Sequence, residues 1–168
     1  MPPRWVAASL ALQMLAACGG APAAYSGQGD SPAQVEQLLD QWTVAFEKKD
    51  VTGVMAVYSP DLTAYDIVGP FQYRGAAAYG DAYRKFFAQF AGHLRSEDRD
   101  VHIDVSGDLA VAYGLERVTG QLKNDTTFDV WMRFTLGLRK TSSGWRITHE
   151  HISLPTNTEA IIARRPAD

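Results

Sequence analysis

The chain has 168 residues, 46% hydrophobic and 21% charged, which suits one domain with a real core and leaves little room for a second. A formal net charge of −3, a pI near 5.8 and the absence of any basic run argue against a phosphate-tracking surface, so nucleic acid is not an expected partner. The single cysteine excludes an intramolecular disulfide.

The first segment in chain order reads as an export signal. Arg4 gives a positive start, residues 5–14 are mostly apolar, and Leu15-Ala16-Ala17-Cys18 follows directly. The apolar stretch is too short for an ordinary spanning helix. Leu-Ala-Ala-Cys resembles the lipobox of bacterial lipoproteins, in which the cysteine is acylated and becomes the first mature residue. The resemblance implies a signal peptide over residues 1–17 and lipidation at Cys18. It also implies an exported, membrane-anchored protein facing the periplasm or the cell exterior. Residues 18–30, with GGAPAAYSGQGD after the cysteine, are small and polar and read as a flexible tether.

The folded domain is expected over residues 31–155, with residues 156–168 as a tail. Ser31, Pro32 and Gln34 form a capping signal ahead of Val35, Leu38, Leu39, Trp42 and Phe46, whose spacing describes one apolar helix face. A second short helix is predicted from the cap Asp50 through Val54 and Val57 to Tyr58, stopped by Ser59-Pro60. Residues 62–68 alternate as a strand with Leu62, Ala64, Asp66 and Val68 on one face, and Asp66 is the exception there. After Gly69-Pro70 and FQYRG, a third helix carries Tyr79, Tyr83, Phe86, Phe87 and Phe90 on one stripe before Gly92. Strands follow over residues 100–105 and 109–120.

The C-terminal run WMRFTLGLRKTSSGWRITHEHIS reads as two strands around a turn at residues 141–144. Strict alternation puts Trp145, Ile147, His149 and His151 on one face of the last strand, with Arg146, Thr148, Glu150 and Ile152 on the other. If Phe134, Leu136 and Leu138 face inward and the turn pairs Lys140 with Trp145, Leu136 lies beside His149 and Phe134 beside His151. A slip of one residue would bring Thr135 and Arg133 there instead.

The order of elements is that of an α+β fold, three helices packed on a curved, mainly antiparallel sheet. Together with WTVAFEKKDVTGVMAVYSPDLTAYD near the start and the C-terminal run, it resembles the SnoaL-like branch of the nuclear transport factor 2-like superfamily over nearly all of residues 31–155. The resemblance implies a cone with a pocket under the helices, commonly in a homodimer. That superfamily contains isomerases, cyclases and dehydratases as well as binding modules without chemistry, so fold leaves function open.

By the same resemblance Asp66 matches the general base of the ketosteroid isomerases. Trp42 stands where those enzymes carry an oxyanion-binding tyrosine, and Leu136 where they carry a protonated aspartic acid. Leucine offers no hydrogen bond, so steroid isomerisation is not expected. Asp66, His149 and His151 remain as candidates for moving a proton, because a poorly solvated carboxyl and an imidazole both titrate toward neutral pH. Tyr58, Tyr83 and Tyr113 are candidate hydroxyl donors among walls of Trp42, Phe46, Phe86 and Leu136. Structural roles compete: Asp66 also suits hydrogen bonding to the Gly69-Pro70 turn, and the histidines also suit pairing with tyrosines or Glu116.

Two histidines and a carboxylate could mimic a metal site, but no supporting partners are visible and no metal is expected. No glycine-rich phosphate loop, GxSxG, HExxH or paired CxxC occurs. The expected activity is therefore binding of a small hydrophobic organic molecule, with cofactor-independent proton transfer of isomerase, cyclase or dehydratase type. The alternative is a noncatalytic ligand-binding or dimerisation module.

Overall fold

The computed structural model describes residues 31–156. The leader, Cys18, the tether and residues 157–168 lie outside the described residues. In chain order the elements are α1 (Ser31–Glu47), α2 (Val51–Met55), β1 (Tyr58–Tyr65), β2 (Tyr73–Arg74), α3 (Ala76–Phe87), β3 (Phe90–Ser106), β4 (Leu109–Leu122), β5 (Thr127–Thr141) and β6 (Gly144–Ser153). The strands form one mixed sheet, β2-β1-β6-β5-β4-β3, antiparallel except where β1 runs parallel to β6. The helices pack on this curved sheet, which is the α+β cone expected.

The apolar faces read from the sequence are the ones that pack. On α1, Val35, Leu38, Ala45 and Phe46 are buried, with Leu39 and Trp42 against them. On α3, Tyr79, Tyr83 and Phe87 are buried. Phe46 stands edge-on to Phe87 at 5.4 Å, and Phe86 edge-on to Phe128 of β5 at 5.9 Å, so aromatic contacts tie α1, α3 and the sheet together. Each such pair adds about 1 kcal/mol beyond the apolar area it removes from water.

Several boundaries differ from the expectation. The second helix stops at Met55, because Tyr58 opens β1 beside Ile147 and the Ile147 amide donates to the Val57 carbonyl at 2.9 Å. The third helix stops at Phe87, and Phe90 and Gly92 belong to β3, which pairs with β4 from Phe90 onward. Residues 95–100, RSEDRD, lack alternating apolar residues because β3 is an edge strand, and charges there discourage pairing with other chains.

The largest correction lies in the C-terminal hairpin. Its turn is as expected: Gly144 takes the positive φ (102°) needed to close it, and Lys140 pairs with Trp145. Leu138 then pairs with Ile147 but Gly137 pairs with His149, leaving Thr148 as an extra, bulged residue. Because side chains alternate with a period of two, that single residue reverses the rest of the strand. Glu150 pairs with Leu136 and Ile152 with Phe134 on the inner face. The expected inward positions of His149 and His151 are therefore corrected: His149 sits opposite Gly137, and His151 opposite Thr135 on the outer face.

Two local features suit the bulge. Gly137 has no side chain to crowd His149, whose Cβ would lie 3.4 Å from a Cβ at Gly137. The Thr148 hydroxyl donates to the Gly137 carbonyl at 3.1 Å. Deleting Thr148 should join Ile147 to His149 in regular pairing and keep Glu150 inside, with one lost hydrogen bond costing about 1 kcal/mol. Urea unfolding would show a cooperative transition close to that of the parent; a collapsed or noncooperative variant would contradict the bulge.

Candidate functional site

A cavity of about 260 Å³ lies between α1, α3 and the inner face of the sheet. Trp42 and Phe46 reach it from α1, and Tyr79, Tyr83 and Phe86 from α3, because their i, i+3 and i+4 spacings put them on the packed faces. Glu116 and Val118 enter from β4, Phe128 and Met132 from β5, and Glu150 and Ile152 from β6. Asp66, just beyond the end of β1, lines the cavity together with Ile67, Val68 and Gly69. A smaller void of about 30 Å³, with room for about one water, shares Trp42, Glu116, Glu150 and Ile152 with it.

Glu150 is 3% exposed and is held by tyrosines. The Tyr79 hydroxyl donates to Glu150 Oε1 at 2.7 Å, and the Tyr58 hydroxyl donates to Oε2. Tyr83 Oη lies 3.4 Å from Tyr58 Oη; with the Tyr58 proton directed at Glu150, Tyr83 is the donor of that pair. Tyr79 Oη also lies 3.2 Å from Asp66 Oδ2. A phenol has one proton, so a carboxyl proton on Asp66 can be donated to Tyr79 while the Tyr79 proton is donated to Glu150. One hydroxyl thus couples two carboxyls.

Burial raises all three cavity carboxyls, because the charged form loses its water. It pushes Glu150 up to about 7, against the Tyr58 and Tyr79 hydrogen bonds that favour the anion. It pushes Glu116 up to about 8, opposed by the Ser96 hydroxyl, which donates to Oε1 at 2.8 Å, and reinforced by the charges of Asp98, Glu150 and Asp66. Asp66 is also raised by burial, while the Ile67 amide, donating at 2.6 Å, and the Tyr79 hydroxyl favour its ionised form. Tyr58, Tyr79 and Tyr83 are pushed well above the usual phenol value by burial and by the Glu150 charge, so they stay protonated donors.

Of the residues singled out in the sequence, Asp66, Trp42, Phe46, Tyr83 and Phe86 line the main cavity. Tyr58 and Leu136 line the smaller void. His149 and His151 do not line either: the His149 ring donates through Nδ1 to the Thr63 carbonyl at 3.0 Å, and Tyr65 packs edge-on to both imidazoles. Tyr113 is corrected as well. Ala110, Ala112, Glu116 and Val118 are the buried members of β4, so odd positions face outward, and Tyr113 stacks on His102 at 5.2 Å with 41% of its surface exposed. No group of three or more metal-ligating residues occurs among the described residues.

Sequence reasoning missed Glu116 and Glu150 as cavity groups. Glu116 left a signal, a charge at an inward position of β4 between Ala112 and Val118. Glu150 left a fainter one: its neighbour Ile152 was an apolar residue on the face read as polar. Trp42 adds a donor, since its indole N–H is buried and meets no acceptor among the described residues.

The raised carboxyls have a stability consequence. Between the ordinary value of 4.5 and about 7 to 8, the unfolded chain has released protons that folded Glu150 and Glu116 still hold. The stabilising contribution is therefore complete below 4.5 and is lost as pH rises through 7 and 8. Denaturation at about pH 5 and about pH 8.5 should differ by on the order of a few kcal/mol, and Glu150→Gln should flatten that slope. A variant as steep as the parent would contradict the burial of Glu150.

A model of the SnoaL-like domain matches residues 35–157. No curated protein matches the sequence. Among solved structures, an NTF2-like protein of unknown function from Pseudomonas putida KT2440 is 29% identical, with a TM-score of 0.69 over 76% of this chain and 89% of that one. A ketosteroid isomerase-like protein from Erwinia carotovora atroseptica is 20% identical, with a TM-score of 0.65 over 78% of this chain and 100% of that one. A candidate dehydratase of the NTF2-like family from Streptomyces avermitilis is 18% identical, with a TM-score of 0.68 over 76% and 98%. The last two similarities speak for fold alone. With that match spanning most of its length and this architecture around the cavity, the chain belongs to the SnoaL-like domain family of the NTF2-like superfamily.

Proposed function

We propose that the domain binds a small, largely apolar organic molecule in the aromatic cavity and moves a proton on it without a cofactor. The observation that supports this most directly is the pairing of Asp66 and Glu150 through the single hydroxyl of Tyr79. Asp66, only half-buried where Glu150 is fully buried and accepting the Ile67 amide at 2.6 Å, is the carboxyl readier to ionise and serves as the base. Glu150, with its proton half retained near pH 7, serves as the acid. Two carboxyls in unlike surroundings thereby divide the work that the sequence reading gave to an aspartate and two histidines. The indole N–H of Trp42, which meets no acceptor among the described residues, is a donor for oxygen that gains charge during the reaction. Isomerase, cyclase and dehydratase reactions all have this proton-in, proton-out form.

A thermal-shift screen of small organic molecules on protein beginning after Cys18, followed by turnover assays on the hits, tests this reading. Asp66→Asn and Glu150→Gln should each lower kcat by about a hundredfold or more, the usual contribution of a positioned acid or base. Turnover unchanged in both variants would refute the roles, and binding without turnover would favour a noncatalytic module.

We further propose that the mature protein is exported and held at a membrane by a lipid on Cys18. The support is the leader and Leu-Ala-Ala-Cys sequence, followed by a polar tether that lets the domain stand off a surface. Mass spectrometry of the cell-derived protein should show acyl mass on the parent and none on Cys18→Ser; equal masses apart from the substitution would refute the anchor.

A further inference from the structure

The cavity carries acids without counter-charges. Glu116 and Glu150, 6% and 3% exposed, line it together with Asp66. Among the described residues the ion pairs involve Arg84, Arg99 and Arg117 with exposed acids, and none reaches these three carboxyls. Lys85, the one basic residue along the wall, is exposed in the last turn of α3. The partners of the two glutamates also differ. Glu150 has a tyrosine hydroxyl on each oxygen, whereas only Oε1 of Glu116 has a donor, Ser96, and no donor meets its Oε2 among the described residues.

We infer that the ligand is an organic cation, an ammonium or quaternary ammonium head on a compact apolar body, with the head against Glu116 and the body among the aromatic rings. This rests on the cavity being the ligand site, as proposed above, and adds the ligand's charge. An anion would oppose the ionisation of all three carboxyls and find no buried counter-charge among the described residues. A neutral apolar guest would displace water from the Glu116 carboxyl and leave it with Ser96 as its one hydrogen-bond donor among the described residues. An ammonium N–H can donate to that carboxyl and a quaternary head compensates its charge, and the Trp42 and Phe86 rings offer further attraction through their negative π faces. The volume of about 260 Å³ lies just below the range of drug-sized sites, so it admits a head group and one ring or a short chain.

The cation and the carboxyl protons then compete. Burial holds Glu116 largely protonated near pH 7, and a bound ammonium beside it favours its anion, so binding releases a proton. Affinity for a permanently charged ligand rises with pH across that window, since folded Glu116 gives up its proton more easily as pH increases.

Titration calorimetry at about pH 7, in two buffers of different ionisation enthalpy, separates the possibilities. The probes are phenethyltrimethylammonium, its neutral carbon isostere (3,3-dimethylbutyl)benzene, and 4-phenylbutanoate as the anion. The cation should bind about tenfold or more tighter than the isostere, with measurable proton release, and Glu116→Gln should remove most of that preference. Should Glu116→Gln fail to fold, the parent's own pH dependence decides: cation affinity increasing from about pH 5.5 to about pH 8.5 supports the inference, and a flat profile overturns it. An isostere or anion that binds as tightly as the cation overturns the cationic ligand while leaving the cavity a binding site. Failure of all three probes to bind overturns both.

Discussion

The identity of every β6 side chain that faces the cavity beyond Ile147 is set by the bulge at Thr148, where the strand carries one residue more than its β5 partner. A regular hairpin would turn two imidazoles toward Leu136 and Phe134. The bulged one turns Glu150 and Ile152 there and leaves His149 and His151 outside against Tyr65. The local cost is a disturbed ladder at Gly137, partly offset by the Thr148 hydroxyl on the Gly137 carbonyl. The gain is Ile152 on the apolar side and a carboxyl held by two tyrosines, Tyr58 of β1 and Tyr79 of α3.

A carboxyl buried among aromatic rings is unfavourable for a core and informative for a site. Its surroundings solve the satisfaction problem with phenol donors rather than cations, which leaves the proton weakly held near neutral pH. A nearby Arg or Lys would instead have fixed Glu150 as an anion. Asp66, tied to a backbone amide beyond the end of β1, belongs to the same hydrogen-bonded set but to a different solvation regime. The proteins that share this fold bear names ranging from unknown function to isomerase-like, so the cavity side chains, rather than the cone, carry what is specific to this chain.

Much of this was legible before any coordinates. The helix faces of α1 and α3 follow from the spacing of large apolar residues, and that spacing already aims Trp42, Phe46, Tyr83 and Phe86 at one space. Asp66 stood out as a charge at an apolar position. A bulge is invisible to a rule of strict alternation, so the same rule that located β6 assigned its second half to the wrong face. Gly137 inside a strand and Ile152 among polar residues were the local marks of that break. Tyr113 was misplaced for another reason: its chemistry suited a donor, but the small inward residues of β4, Ala110 and Ala112, show that its parity is outward. The first half of β3 was hidden because edge strands are charged rather than alternating.

Carbon-13 NMR titration of the glutamate side-chain carboxyls, with Glu150 assigned by its absence in Glu150→Gln, tests the inward, tyrosine-held carboxyl most directly. One glutamate resonance should titrate near 7 and shift again as Asp66 ionises. A Glu150 resonance titrating with the exposed glutamates near the ordinary 4.5 would place it in solvent and contradict the account.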